Sequence, residues 1–281
     1  MTFSLRNGYE PKPVLQFESM DERLQNGLWN VISRYLDLLR SQADTYERAK
    51  YIVQKVWDGH FGESLDDVGN PARGESLIRD KFYNLQWNKV YDFVEFTVAI
   101  KSIQRDLTRS FNAVLEREHS AYRVTGEGLV MPITDSTQLE AINAATKETS
   151  ALAPVHDHLT KAQQLFSIRE KPDHYGPSIG EAISAVETLA KMMVGHVGQP
   201  NSLAAALDLF PQAGIKLPSQ LLDSWRDTWR YASDRKTVRH GKPDDATGTN
   251  VSQAEALYML VKCSGFVSYL LHLASEAKLT L

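Results

Sequence analysis

Apolar residues recur at three- and four-residue steps through most of this chain. One series runs from Leu24 through Leu28 and Ile32 to Leu39, and a second fills Ile179–Met193. Such spacing places the apolar side chains on one face of an α-helix, which must then pack against another helix. We therefore predict a mainly α fold, with an N-terminal helical domain, a small β-hairpin connector and a C-terminal helical bundle.

Several helices are predicted in the N-terminal part. Ser19 and Glu22 match a capping box, which marks the start of a helix. The predicted elements are helices over 20–41, 46–57 and 77–118, the last with a break near Asn88, and a surface loop over 60–75. Three or more such helices can close a small hydrophobic core.

The pattern changes at "AYRVTGEGLVMPIT", residues 121–134, where apolar residues alternate around Gly126 and Gly128. Alternation interrupted by glycine is typical of a β-hairpin. Helical spacing returns after Ser136, and two prolines and a glycine follow in 169–178. We predict an N-terminal domain over 1–120, a hairpin and linker helix over 121–175, and a helical bundle over 176–281.

The last predicted helix contains a long apolar stretch, Ala256–Ala274, which is interrupted by Lys262 and His272. A charge inside a membrane span is costly, so a buried helix is favoured over a transmembrane one. Because it is apolar on nearly all sides, we expect it to supply core contacts and a homodimer contact.

Composition excludes some functional classes. The net charge of −4 argues against a protein that grips nucleic acid over its whole surface. The single cysteine, Cys263, excludes an intrachain disulfide and suits a reducing compartment. The first residues lack the apolar stretch of a signal peptide, so we expect a cytoplasmic protein with no membrane partner.

Common catalytic motifs are absent from the sequence. It has no P-loop, no dinucleotide-binding glycine motif, no H-E-x-x-H and no G-x-S-x-G. His156 and His158 suggest a metal site, but residues two apart on a helix point in nearly opposite directions. A solvated helix start is the favoured interpretation, and we predict neither a metal nor a cofactor.

The tract from Asp223 to Pro243 combines basic and aromatic residues. It contains Arg226, Arg230, Arg235, Lys236, Arg239 and Lys242, interleaved with Trp225, Trp229 and Tyr231. Basic side chains beside aromatic rings suit contacts to phosphates and stacked bases of single-stranded RNA. The alternative, which we favour for the tryptophans, is a helix with a tryptophan core face and a solvated arginine face.

Arg235 and His240 are separated by four residues within this tract. An imidazole can remove a proton from a ribose 2'-hydroxyl or donate one to a leaving oxygen. A guanidinium can stabilise the extra negative charge of the phosphorus transition state. The pair is either the core of a metal-free ribonuclease site or a charged helix end that carries a histidine, because this spacing often arises by chance.

Longer stretches of the sequence resemble known families. In the C-terminal half, "YGPSIGEAISAVETLAKMM", "SLAAALDLF" and "WRYASDRKTVRHGKP" resemble the HEPN domains of abortive-infection proteins. In the N-terminal half, "FSLRNGY", "RLQNGLWNVI" and "AYRVTGEGLVMPIT" resemble the AbiJ-type N-terminal domain. Nuclease members of the HEPN superfamily carry an arginine, four to six residues and a histidine in a helical bundle that forms a homodimer.

The resemblance implies an antiviral, toxin-like endoribonuclease, a hydrolase that cuts RNA, such as tRNA, without a metal. His240 would act as the general acid or base and Arg235 would stabilise phosphate charge. Arg239, Lys236 and Arg230 would add substrate contacts.

The sequence departs from the pattern of active HEPN members at Lys236, where Asn, Asp or His is usual. In similar proteins "RHG" recurs more reliably than the upstream arginine, so Arg235 and Arg239 are alternative partners of His240. Glu187 is either a polar partner that faces the motif or a surface glutamate.

Two other functions stay open. One is a non-catalytic HEPN dimerisation module with a regulatory protein partner, and the other is a HEPN domain that binds, or is modified by, a nucleotide.

Overall fold

The fold is almost wholly helical in the part of the chain that is described. The computed structural model describes residues 3–9, 13–41, 43–100, 104–168, 174–234 and 251–281. Within them the one sheet is a two-stranded hairpin. The predicted mainly α fold is confirmed. The chain divides into two compact units, residues 1–134 and residues 135–281.

The first unit is built around a cluster of aromatic side chains. Its helices are α1 (Phe3–Arg6), α2 (Glu22–Arg40), α3 (Tyr46–Gly59), α4 (Pro71–Tyr83), α5 (Trp87–Ala99) and α6 (Gln104–Arg117), with 3-10 turns at Ala43–Thr45 and Leu65–Asp67. Phe82 of α4, Phe93 of α5 and Phe111 of α6 are fully buried. Removal of such large rings from water is the main force that holds these helices together.

The start of α2 differs from the prediction. The predicted capping box of Ser19 and Glu22 is wrong, because Asp21 is the cap: its carboxylate accepts a hydrogen bond from the Leu24 backbone N–H at 2.8 Å. The preceding turn explains the shift, since the Gln16 side chain accepts the Asp21 N–H. An ionised cap also suits the positive end of the helix dipole.

The predicted break near Asn88 is confirmed, since α4 ends at Tyr83 and α5 begins at Trp87. At the break, the Asn84 side-chain amide donates to the Asp80 carbonyl at 2.7 Å. The predicted helix is also divided a second time, because α5 ends at Ala99 and α6 begins at Gln104. The predicted loop ends earlier than residue 75. Asn70 caps α4 by accepting the Arg73 N–H, and Pro71 occupies the first turn.

The predicted β-hairpin is confirmed. Strand β1 (Arg123–Val124) pairs with β2 (Val130–Met131) in antiparallel fashion. The turn between them uses Gly128 at a φ of 85°, a conformation that favours glycine. Asn112 of α6 anchors the hairpin, because its side chain hydrogen-bonds to both the backbone N–H and the C=O of Val124.

A close helix contact in the first unit yields a prediction about Gly74. A Cβ atom added there would lie 2.3 Å from Val53 Cγ1. We expect Gly74→Ala to lower the free energy of unfolding by about 2 kcal/mol, because buried valine has no room to retreat. Urea unfolding measures this. The loss of stability should be smaller when Gly74→Ala is made in a Val53→Ala protein, where the smaller side chain leaves room for the new Cβ. An equal loss in the wild type and in Val53→Ala would contradict the steric explanation.

The second unit surrounds one central helix. Its helices are α7 (Ser136–Glu148), α8 (Ala153–Ser167), α9 (Tyr175–Val194), α10 (Leu203–Leu209), α11 (Ser219–Asp234) and α12 (Gln253–Glu276). Every residue of α9 is buried or half-buried, and this helix contacts α8, α10, α11 and α12. The helical bundle therefore has α9 as its axis.

The boundary between the compact units falls between Thr134 and Asp135. The hairpin belongs to the first unit, while α7 packs against α12 and α8 packs along α9 in the second. The segment predicted as hairpin and linker, 121–175, is thus shared by the two units. The functional division at residues 120 and 175 stays a prediction.

Helix α12 begins at a true capping box, in which Ser252 and Glu255 each accept the other's backbone N–H. Within the described residues it is the one helix long and apolar enough to cross a membrane, by length and composition only. Half of its apolar window is buried inside the structure. Its predicted role in the core is confirmed by the burial of Met259 and Val267, whereas Tyr258 stays 61% exposed.

Candidate functional site

Four of the predicted site residues, Arg235, Lys236, Arg239 and His240, lie outside the residues that the structure describes. The description ends at Asp234, the last residue of α11, and resumes at Val251, just before α12. The helices before and after this segment in the sequence, α11 and α12, are both described.

Two tryptophans hold α11 against its neighbours. Trp225 is 2% exposed and stacks on Phe266 of α12, with 3.9 Å between the ring centroids. The Trp229 ring is half-buried, and its Nε1–H donates to Glu187 Oε2 of α9 at 3.1 Å. The predicted core role is confirmed for Trp225, and its ring is not available to stack on a base.

Polar contacts tie the last turns of α11 to α12. The Tyr231 hydroxyl donates to the Glu255 carboxylate near the start of α12. A second contact lies one turn earlier on α11 and two turns later on α12. There Lys262 Nζ donates to Thr228 Oγ1 at 2.6 Å and lies 5.1 Å from the centroid of the Trp225 ring. The two helix ends that flank the R-x4-H motif are thus fixed to one another.

The described arginines of α11 are paired with carboxylates. Arg230 contacts Asp227 at 2.7 Å, and both side chains are about two-thirds exposed, at 64% and 69%. Arg226 contacts Asp223 at 2.8 Å and also contacts Asp208. Exposed pairs of this kind contribute roughly 0–1 kcal/mol and exchange readily. The use of Arg230 as a substrate contact stays a prediction.

Glu187 has two partners and is not a free surface glutamate. One carboxylate oxygen accepts from Lys191 Nζ at 2.6 Å and the other accepts from Trp229 Nε1. Its hydrogen bond to Trp229 joins α9 to α11. A direct contact between Glu187 and the R-x4-H motif falls outside the described residues.

A groove of about 750 Å³ runs between α11 and α12. Its lining residues are Gln220, Asp223, Ser224, Asp227, Thr228, Tyr231, Glu255, Tyr258, Met259 and Lys262. We call this feature the α11/α12 groove. The groove was not predicted from the sequence, although Asp223, Asp227 and Tyr231 recur at four-residue steps and so share one helix face.

A second polar cluster joins α8 and α9 in the same unit. His158 Nδ1 lies 2.6 Å from Glu181 Oε2, and Lys161 contacts the other carboxylate oxygen. The neighbouring His156 faces elsewhere and lies 3.1 Å from the Thr146 carbonyl oxygen. The two histidines therefore do not converge, and no cluster of His, Cys, Asp or Glu among the described residues has the arrangement of a metal site.

The Glu181 contacts predict a pH-dependent stability. Burial raises the pKa of Glu181, but hydrogen bonds from Lys161 and His158 outweigh it, so the pKa lies below its usual value. A carboxylate of this kind stabilises the fold above its unfolded pKa, and the contribution is lost as the pH falls through the folded pKa. We expect Glu181→Gln to cost about 1 kcal/mol at pH 7 in urea unfolding, and the difference to fade below about pH 4.

The matched control for Glu181 is Glu140→Gln, which alters an exposed glutamate on α7 of the same unit. Its effect on the free energy of unfolding should stay within about 0.5 kcal/mol at every pH. If Glu181→Gln lowered the free energy of unfolding more at acidic pH than at pH 7, the lowered pKa of Glu181 would be contradicted.

Cys263 lies in the core of the second unit. Burial raises the pKa of its thiol to about 12, so the nucleophilic thiolate is almost absent at neutral pH. Its side chain is fully buried and contributes to packing.

The N-terminal part of the chain matches a known family. The family is described as AbiJ N-terminal domain 4, and the match covers residues 1–148. Neither a curated protein nor a solved structure matches the chain. The match includes the first unit and continues to the last residue of α7. Since it spans more than half of the 281 residues, this chain belongs to the AbiJ N-terminal domain 4 family.

Proposed function

We propose that this protein acts in abortive-infection defence as a metal-independent HEPN ribonuclease. The family of residues 1–148 supports the defence context. The effector would be the C-terminal helical unit, and the N-terminal part would sense a trigger or restrain activity. The observation that supports the effector assignment is that the R-x4-H motif lies in the sequence between α11 and α12, two helices of the C-terminal bundle that the Tyr231–Glu255 hydrogen bond joins.

The proposed chemistry needs no cofactor. His240 takes the proton of a ribose 2'-hydroxyl, and the resulting oxygen attacks the adjacent phosphorus. The bond to the 5'-oxygen then breaks, and that oxygen leaves with a proton supplied by an imidazole. The products are a 2',3'-cyclic phosphate and a 5'-hydroxyl.

The basic residues around His240 would stabilise the phosphate charge that grows during this step. Arg235 or Arg239 is placed nearest to the transition state in this proposal, because guanidinium is always charged and donates two parallel hydrogen bonds. Lys236 and Arg230 would bind neighbouring phosphates. Glu187 would act as a positioning residue, since it holds α11 through Trp229.

The active form would be a cytoplasmic homodimer joined through the C-terminal unit. The exposed strip of α12 that contains Gly265 suits this role, because a glycine has no Cβ and lets a second backbone approach closely. An added Cβ at Gly265 meets no described atom within 4 Å, so a larger side chain fits the single chain. Gly265→Arg should therefore yield a folded monomer by light scattering, whereas an unchanged dimer would remove α12 from the interface.

The decisive experiment is cleavage of tRNA and mRNA by the purified full chain with EDTA present. We expect fragments with 5'-hydroxyl and 2',3'-cyclic phosphate ends, identified by enzymatic end-labelling. Cleavage that stops in EDTA, or the absence of cleavage under every activating condition, would overturn the ribonuclease proposal.

A second candidate is a non-catalytic module that binds a regulatory protein. The α11/α12 groove favours it, because the described arginines beside the groove, Arg226 and Arg230, already pair with Asp223 and Asp227. These two arginines are therefore not free to bind the phosphates of RNA in the described arrangement. Under this alternative, RNA would be neither bound nor cut, and the defence role would depend on a partner protein.

A further inference from the structure

The floor of the α11/α12 groove contains one lysine. Lys262 of α12 is half-buried and lines the groove together with Thr228 and Met259, which are only 7% and 3% exposed. The aspartates of the same groove, Asp223 and Asp227, are 67% and 69% exposed and therefore lie at its rim. A ligand that enters the groove meets the ammonium group of Lys262 at the bottom.

The ammonium group of Lys262 is held in place but keeps hydrogen-bond donors for a ligand. It donates to Thr228 Oγ1 at 2.6 Å. The Thr228 hydroxyl donates its own proton to the Ser224 carbonyl oxygen at 2.7 Å, so towards the lysine it can only accept. An ammonium group has three N–H bonds, and within the described residues no second oxygen accepts from the other two.

Two aromatic rings flank this ammonium group. Lys262 Nζ lies 5.1 Å from the centroid of the Trp225 ring and 5.9 Å from that of the Tyr258 ring. Ring faces attract a cation without neutralising it, so its charge stays available to an anion. Trp225 is buried, whereas Tyr258 is 61% exposed and offers an aromatic wall to a ligand.

The aspartates at the rim do not compete for Lys262, because each has an arginine of its own. Asp223 contacts Arg226 at 2.8 Å. Asp227 contacts Arg230 at 2.7 Å. The negative charge of the rim is therefore balanced locally, on α11 itself.

The third carboxylate that lines the groove is also satisfied elsewhere. Glu255 accepts from the Tyr231 hydroxyl and from the Ser252 backbone N–H, in the first turn of α12, where the helix dipole favours a negative charge. Lys262 lies seven residues later, about 10 Å further along the helix axis. Among the described residues that line the groove, Lys262 is thus a charged group without a carboxylate partner.

We propose that the α11/α12 groove binds a small organic anion in which a carboxylate or phosphate group is joined to an aromatic ring. The anionic group accepts from the remaining N–H bonds of Lys262, and the ring lies on Tyr258. One aryl carboxylate or aryl phosphate can reach both, because the ammonium nitrogen and the ring centroid are 5.9 Å apart.

The size and the chemistry of the groove both fit such a ligand. Its volume of about 750 Å³ lies within the range of small-molecule sites, roughly 300–1,000 Å³. A hydrogen bond from a charged donor is roughly twice as strong as a neutral one, and partial burial of Lys262 strengthens it further. The binding does not depend on RNA cleavage, so this proposal and the ribonuclease proposal can fail separately.

The test is equilibrium dialysis of the full chain against 1-naphthyl phosphate and 1-naphthoate, with 1-naphthamide as the neutral compound of the same ring system. The better of the two anions should bind at least about tenfold more tightly than the amide, and its binding should weaken with added salt. The comparison of the two anions shows whether the groove prefers phosphate or carboxylate.

Replacement of Lys262 separates the charge from the ring contact. Lys262→Met keeps a long unbranched side chain without the charge, so it should bind the anion at least about tenfold more weakly and the amide within about twofold of wild type. Lys262→Arg should retain most of the anion binding. Tyr258→Ala should weaken both the anion and the amide, because both stack on that ring.

The matched control is Lys216→Met, which removes a lysine from an exposed position of the same unit outside the groove. It should bind both compounds as the wild type does, and circular dichroism should show all variants folded. Equal binding of the anions and the amide by the wild type, equal losses in Lys262→Met and Lys216→Met, or displacement of the anion by a single-stranded RNA would overturn the proposal.

Discussion

Replacement of His240 by alanine is expected to lower the rate of RNA cleavage by about 100- to 10,000-fold, the usual contribution of a positioned general acid or base. The loss should appear mainly in kcat, because the imidazole acts on a proton that moves in the transition state. Single-turnover cleavage with EDTA present measures it. RNA binding by the variant, followed by anisotropy, should stay within about twofold of wild type, since His240 is not assigned a binding role.

The same assay decides which arginine serves His240. Arg235→Ala and Arg239→Ala should differ, with the larger loss, about 100-fold or more, at the residue that stabilises the transition state. Lys in place of the functional arginine should restore little, because an ammonium cannot form the two parallel hydrogen bonds. If His240→Ala cleaved RNA at the wild-type rate, the mechanism would be refuted, regardless of the results for Arg235 and Arg239.

Replacement of Arg123 by alanine is expected to destabilise the first unit by about 3 kcal/mol. This arginine is only 5% exposed, and its guanidinium donates to the carbonyls of Ser120 and Tyr122 at 2.8 Å and of Thr134 at 3.3 Å. Burial lowers the pKa of Arg123, because removal from water disfavours the charge. Its loss leaves these carbonyls without a donor beside the hairpin.

Urea unfolding measures the Arg123 effect, and Arg117→Ala is its matched control. Arg117 belongs to the same unit, but its side chain is 61% exposed and contacts only the adjacent Glu118 among the ion pairs of the described residues. Its removal should cost less than about 1 kcal/mol. If Arg123→Ala were as stable as Arg117→Ala, the buried hydrogen bonds of Arg123 would make no net contribution to the free energy of unfolding.

The sequence predicted the presence of most helices but not their ends. Local apolar spacing was sufficient for α2, predicted over 20–41 and found at Glu22–Arg40. The N-cap of α2 was assigned incorrectly because two acceptable cap residues, Ser19 and Asp21, lie only two positions apart. A single side-chain hydrogen bond decides such competitions, and periodicity does not report it.

For the candidate site, the sequence allowed us to name residues but not to predict which of them contact one another. Trp225 was correctly assigned to the core, because its spacing on α11 places it on the apolar face. Glu187 was named without a partner, and only the packing of α9 on α11 brings Trp229 to it. The pair of Arg235 and His240 stays a prediction from spacing and resemblance, since both lie outside the described residues.

The sequence by itself determined the mainly helical class and the hairpin around Gly128. These depend on neighbours within a few positions, through helical period, capping and turn conformation. Only the tertiary structure decided that Glu187 holds Trp229 and that Asp227 and Tyr258 share one groove. Those contacts join helices that are distant along the chain, and it is the burial of their apolar faces that selects which polar side chains meet.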